Sequence, residues 1–324
     1  MLSGRRVPCR ARGFRSAVLA APLFVLLGCV SAPRTRDVAP LSVLDRDASL
    51  YVYVPVQSYQ ALAGDLLQAA VQGMSEQDVR RIVSRTRDVY LALGARGAVS
   101  AQFVAAGAYP QAAVRAALSK KNGWKVQRLA AGAPTSAEAD APVFRQPYTY
   151  YLRTDAPVQL AFPQAGLACA SMEVQPLVAN YDAALFAEDS ESNGTMPPTL
   201  WAFLAARDQT EIRFVVPDAA VIPRFSGGAV ATETMSAQIV GGLQCAYGSI
   251  RQAEDASTCM VSATLVFSDE RMARAMIAIL RLTLLSSPAQ VSANATSVTV
   301  SGYVLPWQTL RNMIVSPHGM QGLL

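Results

Sequence analysis

An eleven-residue apolar run, Ala17 to Leu27, follows five arginines (Arg5, Arg6, Arg10, Arg12 and Arg15) and ends at Gly28-Cys29. At about 1.5 Å rise per helical residue it reaches only about half-way across a hydrocarbon layer ~30 Å thick. It is too short for a permanent span. A positive n-region, an apolar core and a small residue before the cut are the three parts of an export signal. The first 28 residues are therefore read as a leader, and the folding problem belongs to the rest of the chain.

The junction Leu26-Leu27-Gly28-Cys29 is more specific. It resembles the lipobox of bacterial lipoprotein precursors, in which apolar residues precede a small residue and an invariant cysteine. The resemblance implies cleavage between Gly28 and Cys29, a diacylglyceryl thioether on Cys29 and a further acyl chain, such as palmitate, on the new α-amine. Each buried methylene contributes about 0.8 kcal/mol, so one chain holds a protein marginally and two or three hold it stably. Val30 is not the aspartate that retains some lipoproteins at the inner membrane. That favours onward sorting and leaves inner and outer membrane both open. The expected location is the cell envelope, with the globular part outside the cytoplasm.

Net charge points first toward nucleic acid and then away from it. The chain carries a formal +5, with 28 basic and 23 acidic residues. Five of the basic residues and none of the acidic ones precede Cys29, so the remainder is neutral. A neutral body lacks the electrostatic footprint of a phosphate-backbone binder, and no nucleic-acid partner is expected. At 52% apolar and 16% charged, the chain has enough apolar material for one large core or two smaller ones.

Composition divides the chain into a signal peptide at 1–28, a lipidated tether at 29–48, a first half at 49–186, a linker at 187–198 and a second half at 199–324. A faint repeat supports two halves. Val99 to Val104 parallels Val261 to Val266, and at the same offset of 162 Leu50 to Pro55 falls on Ile212 to Pro217. The first half reads as a strand at 50–55, helices at 58–72 and 76–85, strands at 88–93 and 98–105, a helix at 110–120, and extended segments near 124–129, 148–153 and 158–162. The second half reads as a helix at 198–206, strands at 211–216, 235–247 and 259–267, a helix at 269–285, strands near 290–304 and a terminal helix at 306–314. Strands interleaved with helices predict an α+β fold: two similar ferredoxin-like halves, with mixed or antiparallel sheets and helices on one side.

Helix 269–285 is the clearest element. Ser268 is placed to cap it, and Asp269 and Glu270 suit its positive end. Met272, Ala275, Met276, Ile279 and Leu280 form an apolar face, with Leu284 and Leu285 read as core beyond it. Arg271, Arg274 and Arg281 share the opposite face, as a solvated stripe or a contact for anionic headgroups.

Residues with catalytic chemistry are sparse. The single histidine, His318, lies in Pro317-His318-Gly319-Met320 near the end of the sequence, which argues against imidazole-based catalysis and His-rich metal sites. Asp182, Glu188, Asp189 and Glu191 are the densest acids, in or beside a polar linker, and are the candidates for a carboxylate-dependent hydrolase. Lys120, Lys121 and Lys125 flank Asn122-Gly123 and read as a helix end. Tyr51 and Tyr53 share one strand face and Tyr148, Tyr150 and Tyr151 crowd another strand, as core or as a ligand-binding surface. Export permits a disulfide, and Cys245 and Cys259 would face each other across a hairpin turning near Gln252; two unpaired buried thiols are the alternative. Cys169 reads as a small core residue.

No catalytic set, cofactor or metal site is thus indicated. The leading expectation is a membrane-anchored, non-enzymatic envelope module that binds or assembles with an envelope protein partner. The alternatives are a carrier of a small molecule or lipid and an envelope hydrolase using carboxylates.

Overall fold

In this computed structural model the described residues are 37–70, 76–94, 101–132, 143–187, 196–218 and 242–315. The fold begins earlier than composition suggested. Val38, Leu41, Val43 and Leu44 are buried, and a short 3-10 turn, Pro40–Val43, packs them into the core. Half of the expected tether therefore belongs to the body. Its backbone is tied down by Asn180, whose side-chain amide donates to the carbonyl of Val43 at 3.1 Å.

One antiparallel sheet contains all the strands in the described residues, in the order β11-β12-β10-β9-β8-β1-β2-β3-β7-β6-β5-β4. The first half supplies β1 (Leu50–Pro55), β2 (Thr86–Leu93), β3 (Ala101–Gly107), β4 (Trp124–Leu129), β5 (Tyr148–Arg153), β6 (Gln159–Gln164) and β7 (Leu167–Ser171). The second supplies β8 (Ile212–Val216), β9 (Leu243–Gln252), β10 (Thr258–Phe267), β11 (Gln290–Asn294) and β12 (Ser297–Pro306). The described residues from Val38 onward form a single compact unit.

The two halves meet where β1 pairs with β8. Val52 lies opposite Phe214, the residue 162 positions later, with Tyr51 opposite Val215 and Tyr53 opposite Arg213. The offset that relates the two strands in sequence is thus also their pairing register. Equivalent strands pair around a local two-fold axis, and the order β10-β9-β8 on one side mirrors β3-β2-β1 on the other. Both faces of β1 are covered, Tyr51 and Tyr53 lying in one core cluster and Val52 and Val54 in or against another, which explains why it reads as a continuous apolar run.

Neither half has the ferredoxin-like order. That arrangement needs parallel strands joined through one helix with another strand between them. Here two helices, α1 (Gln60–Ala70) and α2 (Glu76–Val83), connect β1 to β2 and return the chain to the end it left. β2 then pairs antiparallel beside β1, from Leu50 opposite Leu93 to Pro55 opposite Asp88.

Helices lie on both faces of the sheet, not on one as expected. Side chains alternate along a strand, so Tyr51 and Tyr53 point one way and Val52 and Val54 the other. On the tyrosine face pack α4 (Gln175–Phe186), through Leu177, Val178 and Tyr181, and α5 (Pro198–Ala205), through Leu200 and Leu204. On the opposite face Val54 and Ile212 meet Tyr59, just before α1, and Leu62 within it, and Trp307 of α7 (Trp307–Val315) joins them. Cross-strand partners carry that face from Val216 through Ala246 to Leu265, where α6 (Glu270–Thr283) packs. The remaining helix, α3 (Gln111–Ala117), buries none of its side chains.

Candidate functional site

The outer face of α6 is the feature least accounted for by folding. Asp269 caps the helix: its backbone is extended and its carboxylate accepts the Met272 N–H at 2.9 Å. Ser268 does not cap it; its N–H donates to the Gly242 carbonyl at 2.8 Å. Ala273 and Met276 are buried with Phe267 and Val298, and Met272, Ile277 and Leu280 close around them. The buried stripe is therefore centred on Ala273 rather than on Ala275 and Ile279, which are half-buried.

Arg271, Arg274 and Arg281 are exposed on the other side, and Arg274 pairs with Glu270 at 2.5 Å. The helix ends at Leu284, whose N–H still reaches the Leu280 carbonyl at 2.8 Å. Around this end Leu282 is 71% and Leu285 78% exposed, the highest values among the large apolar side chains described as exposed. Leu285, expected in the core, instead projects into solvent. Two bare leucines beside arginines are what an interfacial helix presents to a lipid surface.

The tyrosines do not form a binding surface. Tyr51 and Tyr53 are fully buried, and Tyr148 and Tyr151 are nearly so. The Tyr51 hydroxyl donates to the Asp45 carbonyl at 2.6 Å. Tyr148 donates to Asp182 at 2.7 Å and packs edge-on against Tyr181. Tyr150 is half-buried against the same core. Burial pushes the Tyr51, Tyr53 and Tyr148 phenols well above their usual range, and neighbouring carboxylates add to this for all three.

Asp182 lies within α4, not in a linker, and is buried. Besides Tyr148 it accepts the Arg145 backbone N–H at 3.0 Å. Glu188, Asp189 and Glu191 lie outside the described residues, as do His318, Gly28 and Cys29. A second buried carboxylate, Asp88, was missed. It accepts from Tyr53 at 3.1 Å, from Gln209 at 3.3 Å and from Arg87 at 2.7 Å. Strand alternation carried the signal, because Thr86, Asp88, Tyr90 and Ala92 share the inward set. Both acids serve as hydrogen-bond hubs that tie loops to the sheet.

The expected Cys245–Cys259 bridge is not formed. The register sets Cys245 opposite Val266 and Cys259 opposite Gln252, at opposite ends of the hairpin. Both thiols are free. The hairpin turn falls after Gln252, not midway between the cysteines, so they never come abreast. Cys169 is fully buried, as a small core residue should be, and its thiol is pushed up to about 12 by burial. Lys120 and Lys121 form a 3-10 turn closed by Gly123 at φ +76°, a left-handed position that suits glycine.

Among the described residues no three His, Cys, Asp or Glu side chains gather as a metal site would, and no helix is long and apolar enough to cross a membrane. A groove on α2, lined by Gln77, Arg80, Arg81 and Ser84, is shallow and open to solvent.

Residues 35–140 match a protein-family model described as "TP0453: Outer membrane-associated lipoprotein TP0453". No curated protein matches the chain. Among solved structures, crystal form I of TP0453 is similar with a TM-score of 0.61 at 15% identity, covering 87% of this chain and 98% of that one. Crystal form III gives 0.61 at 16% identity, covering 86% and 99%. At such identities the likeness establishes the fold. The family-model match, over 35–140, and the lipobox that precedes it both support a bacterial lipoprotein.

Proposed function

We propose that this lipoprotein is a non-enzymatic binding module of the outer membrane, held by acyl chains on Cys29 and oriented by the outer face of α6. The observation that carries the reading is the exposure of Leu282 and Leu285 next to Arg281, with Arg271 and Arg274 exposed farther along the same helix. Full burial of a leucine contributes about 1.5–3 kcal/mol, and each arginine near an anionic surface adds about 1 kcal/mol. Such a contact is too weak to hold the protein by itself. It is strong enough to set the orientation of a body already anchored.

Eight residues lie between Cys29 and the buried Val38, so the chain joining them spans at most about 30 Å in any conformation. The body therefore works at the bilayer surface. The description of the matching family as outer-membrane-associated supports that membrane as the site. Commitment of Asp88 and Asp182 to structural hydrogen bonds favours a binding role over carboxylate-dependent hydrolysis.

Flotation with phosphatidylglycerol vesicles tests the orienting contact, using protein that begins at Val30 and so carries no lipid. Weak, salt-sensitive co-flotation is expected, reduced at least fivefold in the double variant Leu282→Asp/Leu285→Asp. Equal flotation of variant and parent rules α6 out as the contact. Mass spectrometry of the native N-terminal peptide tests acylation of Cys29 separately.

A further inference from the structure

Among the described residues the open sheet ends in two edge strands, and these differ in kind. β4 carries exposed Lys125 and Arg128, with Lys120 and Lys121 just before it. Outward charges of this sort keep sheet edges from pairing. β11, Gln-Val-Ser-Ala-Asn, has no charge, no proline and no bulge in its pairing with β12. Four of its five residues are exposed, while Val291 packs under α6 and holds the strand in place.

The backbone of β11 is also set for a further partner. The hairpin to β12 closes with Asn294 opposite Ser297 around the two residues Ala295 and Thr296. A two-residue hairpin closes on a hydrogen-bonded pair, and such pairs alternate along the ladder. Val291 and Ala293 accordingly turn their N–H and C=O groups away from β12.

We propose that β11 is a self-association surface, pairing antiparallel with β11 of a second copy about a two-fold axis through Ser292. This register overlaps all five residues. It sets Val291 against Ala293 of the second copy and Gln290 against Asn294, and it opposes no like charges. The molecule already contains a joint of this type, since β1 and β8 pair as equivalent strands around a local two-fold. The axis of such a joint is perpendicular to the sheet, so both α6 outer faces point the same way, as two bodies lying on one bilayer require. Only this last point depends on the membrane-contact reading of α6.

Disulfide trapping of the full-length, lipidated protein in the membranes of the producing cells tests the interface. A Ser292→Cys variant is oxidised with copper-phenanthroline and compared with the parent, which carries Cys169, Cys245 and Cys259, and with Val126→Cys on the β4 edge. A reducible dimer is expected from Ser292→Cys at least tenfold above both controls. Adding Val291→Lys and Ala293→Lys, which oppose like charges across the joint, is expected to remove it, with thermal melts verifying that each variant folds. Absence of the dimer in a folded variant, or equal trapping at Val126→Cys, overturns the proposal. Mass analysis of the same preparation separates the two readings: a dimer without acylated Cys29 counts against the anchor, and acylated Cys29 without a dimer counts against the interface.

Discussion

Asp182 shows what a buried carboxylate does in this protein. It sits under the sheet with the Tyr148 hydroxyl at 2.7 Å and the Arg145 N–H at 3.0 Å, so losing one donor leaves a buried acceptor short of a partner. Tyr148→Phe should lower stability by about 1–3 kcal/mol in urea denaturation, with an unchanged m-value. The buried phenols make a second prediction at this scale. Tyr51, Tyr53 and Tyr148 have pKa values raised in the folded state, chiefly by burial. An unfolded chain ionises its tyrosines near pH 10 and the folded one retains those protons. Unfolding therefore releases protons above pH 10, and stability, fully present below that pH, should fall as pH rises further. Denaturant midpoints should drop above pH 10, with phenolate absorbance from these rings appearing only on unfolding.

At the scale of elements, α6 was the most legible part of the chain, because its apolar period and acidic first turn are local properties. Its cap was displaced by one residue. Ser268 and Asp269 are both good caps, and the choice fell to Asp269 because the Ser268 N–H is engaged by Gly242, just before β9. Asp269→Ala should cost about 0.5–2 kcal/mol, whereas Ser268→Ala should cost little, as measured by thermal unfolding. Helix α4 and strand β7 were not foreseen. α4 is buried through Leu177, Val178, Tyr181 and Asp182, and a polar residue in its buried stripe blurs the amphipathic period. The fate of Leu285 was misread for a related reason. An apolar residue after a helix carries no mark that says whether another element covers it.

For the whole molecule, the decisive feature is the β1–β8 seam. Two independent halves would tolerate separation, whereas halves sharing a sheet would not. A fragment of residues 29–186 would leave β1 as a bare edge, with buried Tyr51 and Tyr53 deprived of their neighbours in β8 and α5. It should aggregate or remain partly unfolded by size-exclusion chromatography and circular dichroism, while the intact body unfolds in one cooperative transition. A soluble, folded fragment would instead restore the picture of two self-sufficient halves.

The sequence by itself determined the lipobox motif, the neutrality of the residues that follow it, the positions of most strands and helices, and the offset of 162 between the strands that became β1 and β8. Each is set by composition, local period or short motif, which neighbouring residues suffice to express. Only the tertiary structure decided that the halves fuse into one sheet, that helices cover both faces, that the tyrosines are core, that Cys245 and Cys259 stand apart, and that Leu282 and Leu285 are left bare. These depend on strand register and on which distant segment lies over which face. Register is a property of paired strands, and a one-residue shift reverses which face every side chain occupies.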